Sequence, residues 1–209
     1  MRDPLDGIRA LPRMSAMRYP ADHKAKTRAR ILAAAGRMFR RRGYHASGVD
    51  AVMAEAGLKP GGFYAHFDSK ESLLAEALHQ AAAAMEARGV PVPDGPPGRS
   101  WASAFVAGYL SPAHRDAADD GCPLAALICE VARAGEPVKR SFEATLLRMA
   151  SRMSPGSGAP DDRELAVLAL CLGGLGMARA VSDEGLALRI LAACRTLAAA
   201  ALVDGRRHS

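Results

Sequence analysis

Aromatic residues are scarce in this chain, with five phenylalanines, four tyrosines and a single tryptophan among 209 residues. Runs of β-branched residues are also few, whereas alanine and leucine recur throughout. That composition favours helix from end to end, and about half of the chain is apolar, enough for a substantial core. The four cysteines, Cys122, Cys129, Cys171 and Cys194, show no CxxC spacing and are expected to be free thiols in a reducing cytoplasm. No phosphate-cradling glycine loop, HExxH or nucleophile elbow is present, so neither an enzyme nor a bound cofactor is expected. The six histidines are dispersed, and Asp116, Asp119 and Asp120 read as a solvated turn, so no metal is expected. Apolar runs are short: the longest, Leu165 to Ala178, ends at Arg179 and cannot span a bilayer. Without a signal peptide either, a cytoplasmic protein with no membrane partner is expected.

The charge that is present lies at one end. Residues 1–75 hold 14 Lys+Arg against 7 Asp+Glu, and residues 76–209 hold 14 against 15. The whole positive excess therefore sits on the N-terminal third, as expected of a surface that meets nucleic acid. The same third carries the most informative stretch, SGVDAVMAEAGLKPGGFYAHFDSKESLL, from Ser47 to Leu74. Ser47 and Asp50 have capping-box spacing and predict a helix starting at Gly48 or Val49. Val49, Val52, Met53 and Ala56 form its apolar face, Gly57 ends it in a left-handed turn, and Leu58 plugs that turn. Pro60 opens a second short helix to Phe67, with Phe63 and Phe67 facing inward together. Its other side shows Gly61, Gly62, Ala65, Tyr64 and His66. Small residues there allow close backbone approach to a duplex, while the Tyr64 hydroxyl and His66 ring suit phosphate oxygens. Asp68 or Ser69 caps a third helix, and Lys70 in its first turn runs against the helix dipole, which predicts an external anion as its partner. A preceding helix, Lys24 to Arg42, adds the stripe Ile31, Ala34, Ala35, Met38 and Phe39 and stops at Gly43. The predicted head is a helix-turn-helix with a core of Ile31, Met38, Phe39, Val52, Leu58, Phe63 and Phe67.

ARILAAAGRMFRRRGY, SGVDAVMAEAGL and GGFYAHFDSKESLL, ordered and without gaps across about Thr27 to Leu78, resemble the TetR/AcrR family of bacterial transcriptional regulators. The resemblance implies that Ser47, Tyr64, His66 and Lys70 touch phosphates and that Pro60, Gly61 and Gly62 lie at the groove-facing start of the recognition helix. Two positions depart from the family pattern. Lys59 replaces the usual Ser or Thr cap, and Pro60-Gly61-Gly62 replaces the common Lys-Gly-Thr. Few side-chain donors then face the bases, so Lys59 is expected to supply a phosphate or guanine contact, with readout leaning on backbone, apolar contacts and DNA shape.

Three segments follow from this division: an N-terminal arm over 1–22, the DNA-binding head over 23–68, and a helical effector-binding and dimerisation domain over 69–209. The arm carries Arg2, Arg9, Arg13 and Arg18 and reads either as a minor-groove arm or as sequence preceding a true start at Met14 or Met17. Helices are predicted over Ser69–Arg88, Arg99–Arg115, Cys122–Ala134, Pro137–Met153, Asp161–Ser182 and Glu184–Val203, with the Pro/Gly linker VPVPDGPPG after the first. The last two are apolar nearly all round and need cover. Pairing with their twins in a four-helix bundle supplies it, with Gly173, Gly174 and Gly176 permitting close approach, and Leu191→Arg is expected to give monomers or aggregates. A two-fold homodimer predicts a palindromic DNA operator with half-sites roughly 34–36 Å apart.

Trp101, Phe105, Tyr109, Cys122, Leu127, Phe142, Leu146, Met149, Met153 and Met177 are candidates either for ordinary core or for the lining of an effector pocket. The resemblance favours a pocket for a small apolar effector, whose binding shifts the long helix after the head. The fold class expected is thus all-α. The function expected is a dimeric repressor released by such an effector. Two alternatives stand beside it: a thiol-responsive regulator using Cys122 or Cys129, which lie ~10.5 Å apart along one helix, too far for an undistorted disulfide, and a helical carrier or enzyme with an incidental basic face.

Overall fold

The computed structural model describes residues 21–87, 95–117, 121–154 and 159–203. The arm arginines, most of the Pro/Gly linker, Asp119, Asp120 and His208 lie outside the described residues. All regular elements among the described residues are helical: α1 (Ala21–Arg42), α2 (Val49–Glu55), a 3₁₀ turn (Pro60–Ala65), α3 (Lys70–Ala87), α4 (Arg99–Tyr109), α5 (Pro112–Asp116), α6 (Pro123–Val131), α7 (Glu136–Ser151), α8 (Asp162–Ala180) and α9 (Glu184–Val203).

Local chemistry sets the boundaries. Gly43 and Gly57 adopt φ of +79° and +66°, a region that L side chains avoid, and they stop α1 and α2. The Arg30 guanidinium donates to the Ala56 carbonyl at 2.7 Å, satisfying an acceptor left over at the end of α2. Ser69 caps α3 through a reciprocal pair: Ser72 N donates to Ser69 Oγ at 3.0 Å and Ser69 N to Ser72 Oγ at 3.1 Å. At α8, Asp161 Oδ1 accepts from Arg163 N and Glu164 N, while Glu164 Oε2 accepts from Asp161 N. Asp183 Oδ1 accepts from Leu186 N at 2.6 Å and starts α9.

Two expectations fail here. The capping box at Ser47 does not form: Gly48 is the N-cap, without a side-chain bond, and the Ser47 hydroxyl turns back to donate to the Gly43 carbonyl at 2.8 Å. The helix expected over Arg99–Arg115 is broken at Leu110–Ser111 into α4 and α5. Pro112 cannot continue the helix before it, and Ser111 Oγ accepts from His114 N at 3.2 Å as a new N-cap.

Two clusters make the core. The first contains every residue of the predicted head core, Leu58 at its edge, together with Leu73, Leu74 and Leu78 of α3, Leu127 and Val131 of α6 and Val138 of α7. The second gathers α4, the start of α6, the end of α7, and the facing sides of α8 and α9. Phe142 touches both. α3 leaves the head and packs along α7, where Ser141 Oγ donates to the Ala75 carbonyl and Thr145 Oγ1 to that of Leu78 at 3.4 Å. Gly174 permits the close approach of α8 and α9: a Cβ there would meet Cys194 Sγ at 2.8 Å and its Cβ at 2.9 Å. Gly173 faces open space instead, with nothing within 4 Å.

The outward face of α8 carries Ala166, Ala169, Gly173, Met177 and Ala180 at helical spacing, all exposed. That of α9 carries Leu188, Ala193, Leu197, Ala200 and Val203, interrupted by exposed Arg189 and Thr196. Leu191 is 2% exposed and packs inside its own subunit, so an arginine there would disrupt the subunit's own core. α9 is also long and apolar enough to cross a membrane by length and composition, with a mean hydropathy of 1.8 over its most apolar window and 22% of that window buried. The run-length reading missed it because Arg189 and Arg195 interrupt the segment. Those two charges are poorly suited to a bilayer interior.

Candidate nucleic-acid interface

The head ends in a narrow tip. Phe63, fully buried, anchors the 3₁₀ turn, and it stacks on Phe67 with ring centroids 5.7 Å apart. His66 N and Phe67 N both donate to the Phe63 carbonyl, so the turn closes tightly after Ala65. The recognition segment is therefore shorter and tighter than the helix to Phe67 expected from sequence. Around the anchor, Lys59, Pro60, Gly61, Gly62, Tyr64 and Ala65 all face outward. A Cβ built on Gly61 meets nothing within 4 Å, and one on Gly62 meets only the flexible end of Met53, at 3.7 Å. Tyr64 is 72% exposed, its ring held edge-on to Phe63 at 5.2 Å. A tip of small residues with a projecting phenol and a lysine at its base can enter a groove and meet phosphates on its rim.

The flanking residues divide. His66 is half-buried, and its Nδ1 is covered without a hydrogen-bond partner. Burial first, then the charges of Lys24, Arg28 and His23, push its pKa down, so the ring favours the neutral form. Arg28 is committed elsewhere: it forms a two-pronged ion pair with Glu76 of α3 and lies over the Phe67 ring at 4.4 Å. Lys70 has an internal neighbour in addition to any external anion. Its Nζ sits 4.2 Å above the Tyr44 ring, and partial burial lowers its pKa against the opposing pull of Glu130. Ser47 is a correction. It is fully buried and bonded to Gly43, so its side chain presents nothing to a phosphate in this conformation.

Sequence reasoning missed Tyr44 and Glu130. Both oxygens of the Glu130 carboxylate accept from Tyr44 N at 2.8 Å, and Oε1 also accepts from His45 N at 3.2 Å. Similarly, Glu71 Oε1 accepts from Gly135 N at 2.7 Å at the start of α7. No local pattern marks such carboxylates, because their partners lie 64 to 86 residues away.

The effector-site candidates come together in part. Trp101, Phe105 and Tyr109 stack along one face of α4, with successive centroids 5.2 and 5.1 Å apart, and the His114 ring meets Tyr109 edge-on at 4.6 Å. Cys122, Met149 and Met153 join this cluster, and Phe142 lies at its border. Leu127 belongs to the head cluster. Met177 does not belong at all: it is 59% exposed on the outer side of α8, because that helix is apolar on both faces and periodicity could not choose between them. His114, passed over in the sequence, is 3% exposed and fixed at both nitrogens. Nδ1 lies 2.9 Å from the Tyr109 carbonyl, and Cys122 N donates to Nε2 at 3.3 Å. That pattern assigns a neutral ring with its proton on Nδ1. The Tyr109 hydroxyl, beside the Cys122 thiol, makes no hydrogen bond of normal geometry. Burial raises the pKa of Cys122 and takes that of Cys171 to about 12, the opposite of what a reactive thiolate needs.

Residues 31–77 match the family model of bacterial regulatory proteins, tetR family. No curated protein sequence matches the chain. Among solved structures, the chain is similar to a TetR transcriptional regulator from Chloroflexus aurantiacus J-10-FL, with 22% identity, 88% of this chain and 97% of that one covered, and a TM-score of 0.68. It is also similar to Escherichia coli NemR in its reduced form (19% identity, 83% and 95% covered, TM-score 0.63). A third is SCO4454, a TetR-family transcriptional regulator from Streptomyces coelicolor (22% identity, 84% and 97% covered, TM-score 0.57). Identities this low establish the shared fold.

Proposed function

We propose that this chain, which belongs by its helix-turn-helix domain to the tetR family of bacterial regulatory proteins, is a sequence-specific DNA-binding repressor that works as a homodimer and is released by a small apolar effector. The observation that carries the reading is the exposed tip of Lys59, Pro60, Gly61, Gly62 and Tyr64 on a buried Phe63 anchor. Lys70 beside it and the positive excess of the N-terminal third support the same reading. The outward stripes of α8 and α9 support the dimer, since apolar faces of that length call for cover by a second copy. Two heads on one rigid pair would read a palindrome with half-sites about one helical turn apart. The stacked α4 aromatics, with polar atoms at Tyr109 and Trp101 that find no hydrogen bond, support an effector site in the second core.

Selection of bound fragments from genomic DNA tests the reading. Fragments sharing a palindrome, bound with an affinity that falls steeply as salt rises, are the expected result. Binding that is absent, or indifferent to salt, would refute it in favour of a helical carrier. Screening metabolites for release of the selected fragment then addresses the effector.

A further inference from the structure

We infer that Glu130, one residue from the end of α6, is a positioning residue for the phosphate-facing Lys70 and acts on it through the Gly43–Tyr44–His45 turn. The inference rests on the DNA-binding function proposed above. Three hydrogen bonds run from two successive backbone amides of that turn to one carboxylate, at 2.8, 2.8 and 3.2 Å. The turn is shaped to receive it. Gly43 has φ of +79°, and a Cβ there would stand 3.0 Å from Glu130 Oε1, so any side chain would both strain the backbone and crowd the acceptor. Leu127 and Val131, on either side of Glu130 in α6, are buried in the head's own core and hold the helix against it.

Tyr44 passes the constraint on. Its amide is fixed by Glu130, its ring stands edge-on to buried Phe39 at 5.5 Å, and the Lys70 ammonium lies 4.2 Å above that ring. Lys70 is the first residue of α3, where the helix dipole disfavours a cation. The face of the Tyr44 ring and the negative charge of Glu130 offset that disadvantage and hold the lysine in place before DNA arrives. Loss of Glu130 would strip the part-buried Tyr44 amide of its acceptor, give the exposed His45 amide to water, loosen the turn and release the lysine from its perch. The opposite end of α6 is tied to the second core, where Cys122 N donates to His114. One rigid rod of nine residues thus joins the effector-site candidates to a DNA-facing side chain.

The test uses the full chain and a genomic fragment selected by the wild-type protein, with affinity measured against salt for Glu130→Ala, Glu130→Gln, Lys70→Ala and the Glu130→Ala/Lys70→Ala pair. Expected are losses of roughly tenfold for either alanine variant and a double variant no more than about twofold worse than Lys70→Ala, because both changes remove one contact. Glu130→Ala should flatten the salt dependence as Lys70→Ala does. Glu130→Gln, of equal size and still an acceptor for Tyr44 N through one oxygen but without the charge beside Lys70, should recover part of the affinity lost in Glu130→Ala. It also guards against a folding defect, which melting curves of each variant would expose. Losses that multiply, or a Glu130→Ala protein with the wild-type salt dependence, would overturn the positioning role while leaving the DNA reading intact. A wild-type protein that selects no fragment would overturn both.

Discussion

Leu197→Glu should split the proposed homodimer without unfolding the subunit. Leu197 is 60% exposed on the outer face of α9, whereas Leu191, six residues earlier on the same helix, is 2% exposed. Complete burial of a leucine side chain stabilises by about 1.5–3 kcal/mol, so covering the exposed part of Leu197 contributes roughly 1–2 kcal/mol. Two-fold symmetry counts it twice, giving about 2–4 kcal/mol. At ~1.4 kcal/mol per tenfold, the dissociation constant should rise on the order of 30- to 700-fold. A pair of carboxylates brought near the axis adds repulsion, so these figures are a lower bound. Sedimentation equilibrium from tens of nanomolar to tens of micromolar protein reads the change directly. Monomer should dominate the variant at concentrations where the wild type is dimeric, with helical signal and melting temperature close to wild type. The contrasting variant is Leu191→Ala. It truncates a core residue, should destabilise the fold by about 2–5 kcal/mol, and should leave the association constant untouched below its melting point. Should Leu197→Glu keep the wild-type dimer mass across the whole range, the outer face of α9 is not the contact between copies.

Three further outcomes are expected. Gly174→Ala should lower stability by up to about 2 kcal/mol in urea titrations at fixed protein concentration, since overpacking against Cys194 outweighs the ~1 kcal/mol gain in helix propensity; Gly173→Ala, with nothing within 4 Å, should not destabilise the subunit, and equal effects at the two sites would contradict the α8–α9 packing. Burial holds the His114 pKa below its usual value, so the stability linked to the neutral ring is complete above pH ~6.5 and drains away as pH falls through the lowered folded value; His114→Asn should be less stable at neutral pH yet lose less on acidification, and parallel curves would show that this ring is not the group titrating. Tyr64→Phe combined with Lys70→Ala should weaken binding to specific and random duplexes by the same factor, and a loss confined to the specific site would move these residues from backbone positioning to base readout.

The head was legible because its rules are local. Gly43 and Gly57 sit where only a left-handed residue closes the turn, and Phe63 and Phe67 share a side by spacing alone. Ser47 misled because a hydroxyl three residues before Asp50 has two acceptable uses, and the return of the chain at Gly43 offered the nearer acceptor. The break at Ser111–Pro112 carried a readable signal, a cap residue before a proline, that the expected Arg99–Arg115 helix ran straight through. Met177 and Leu191 illustrate a different limit. When alanine and leucine occupy every face of α8 and α9, spacing says that both helices need cover but not which side their own subunit takes. His114 and Glu130 were invisible for a third reason: each draws its role from partners brought near by the fold, the Cys122 amide in one case and the Tyr44 amide in the other.

The boundary expected near residue 68 is a boundary of sequence pattern, and packing crosses it. The head's core contains Leu73, Leu74 and Leu78 from α3, Leu127 and Val131 from α6 and Val138 from α7. Polar ties reinforce the seam at Arg28–Glu76 and Glu130–Tyr44. A head suspended on a flexible hinge would average its position and transmit little. A head whose apolar core is completed by three body helices can change position only if those helices move with it, because close-packed interiors repack between discrete arrangements instead of stretching. Any effector that reshapes the core around Tyr109, Cys122 and Phe142 therefore acts on helices already built into the head, and in the proposed homodimer a shift of α6 or α3 by a fraction of a turn would alter the spacing of the two tips.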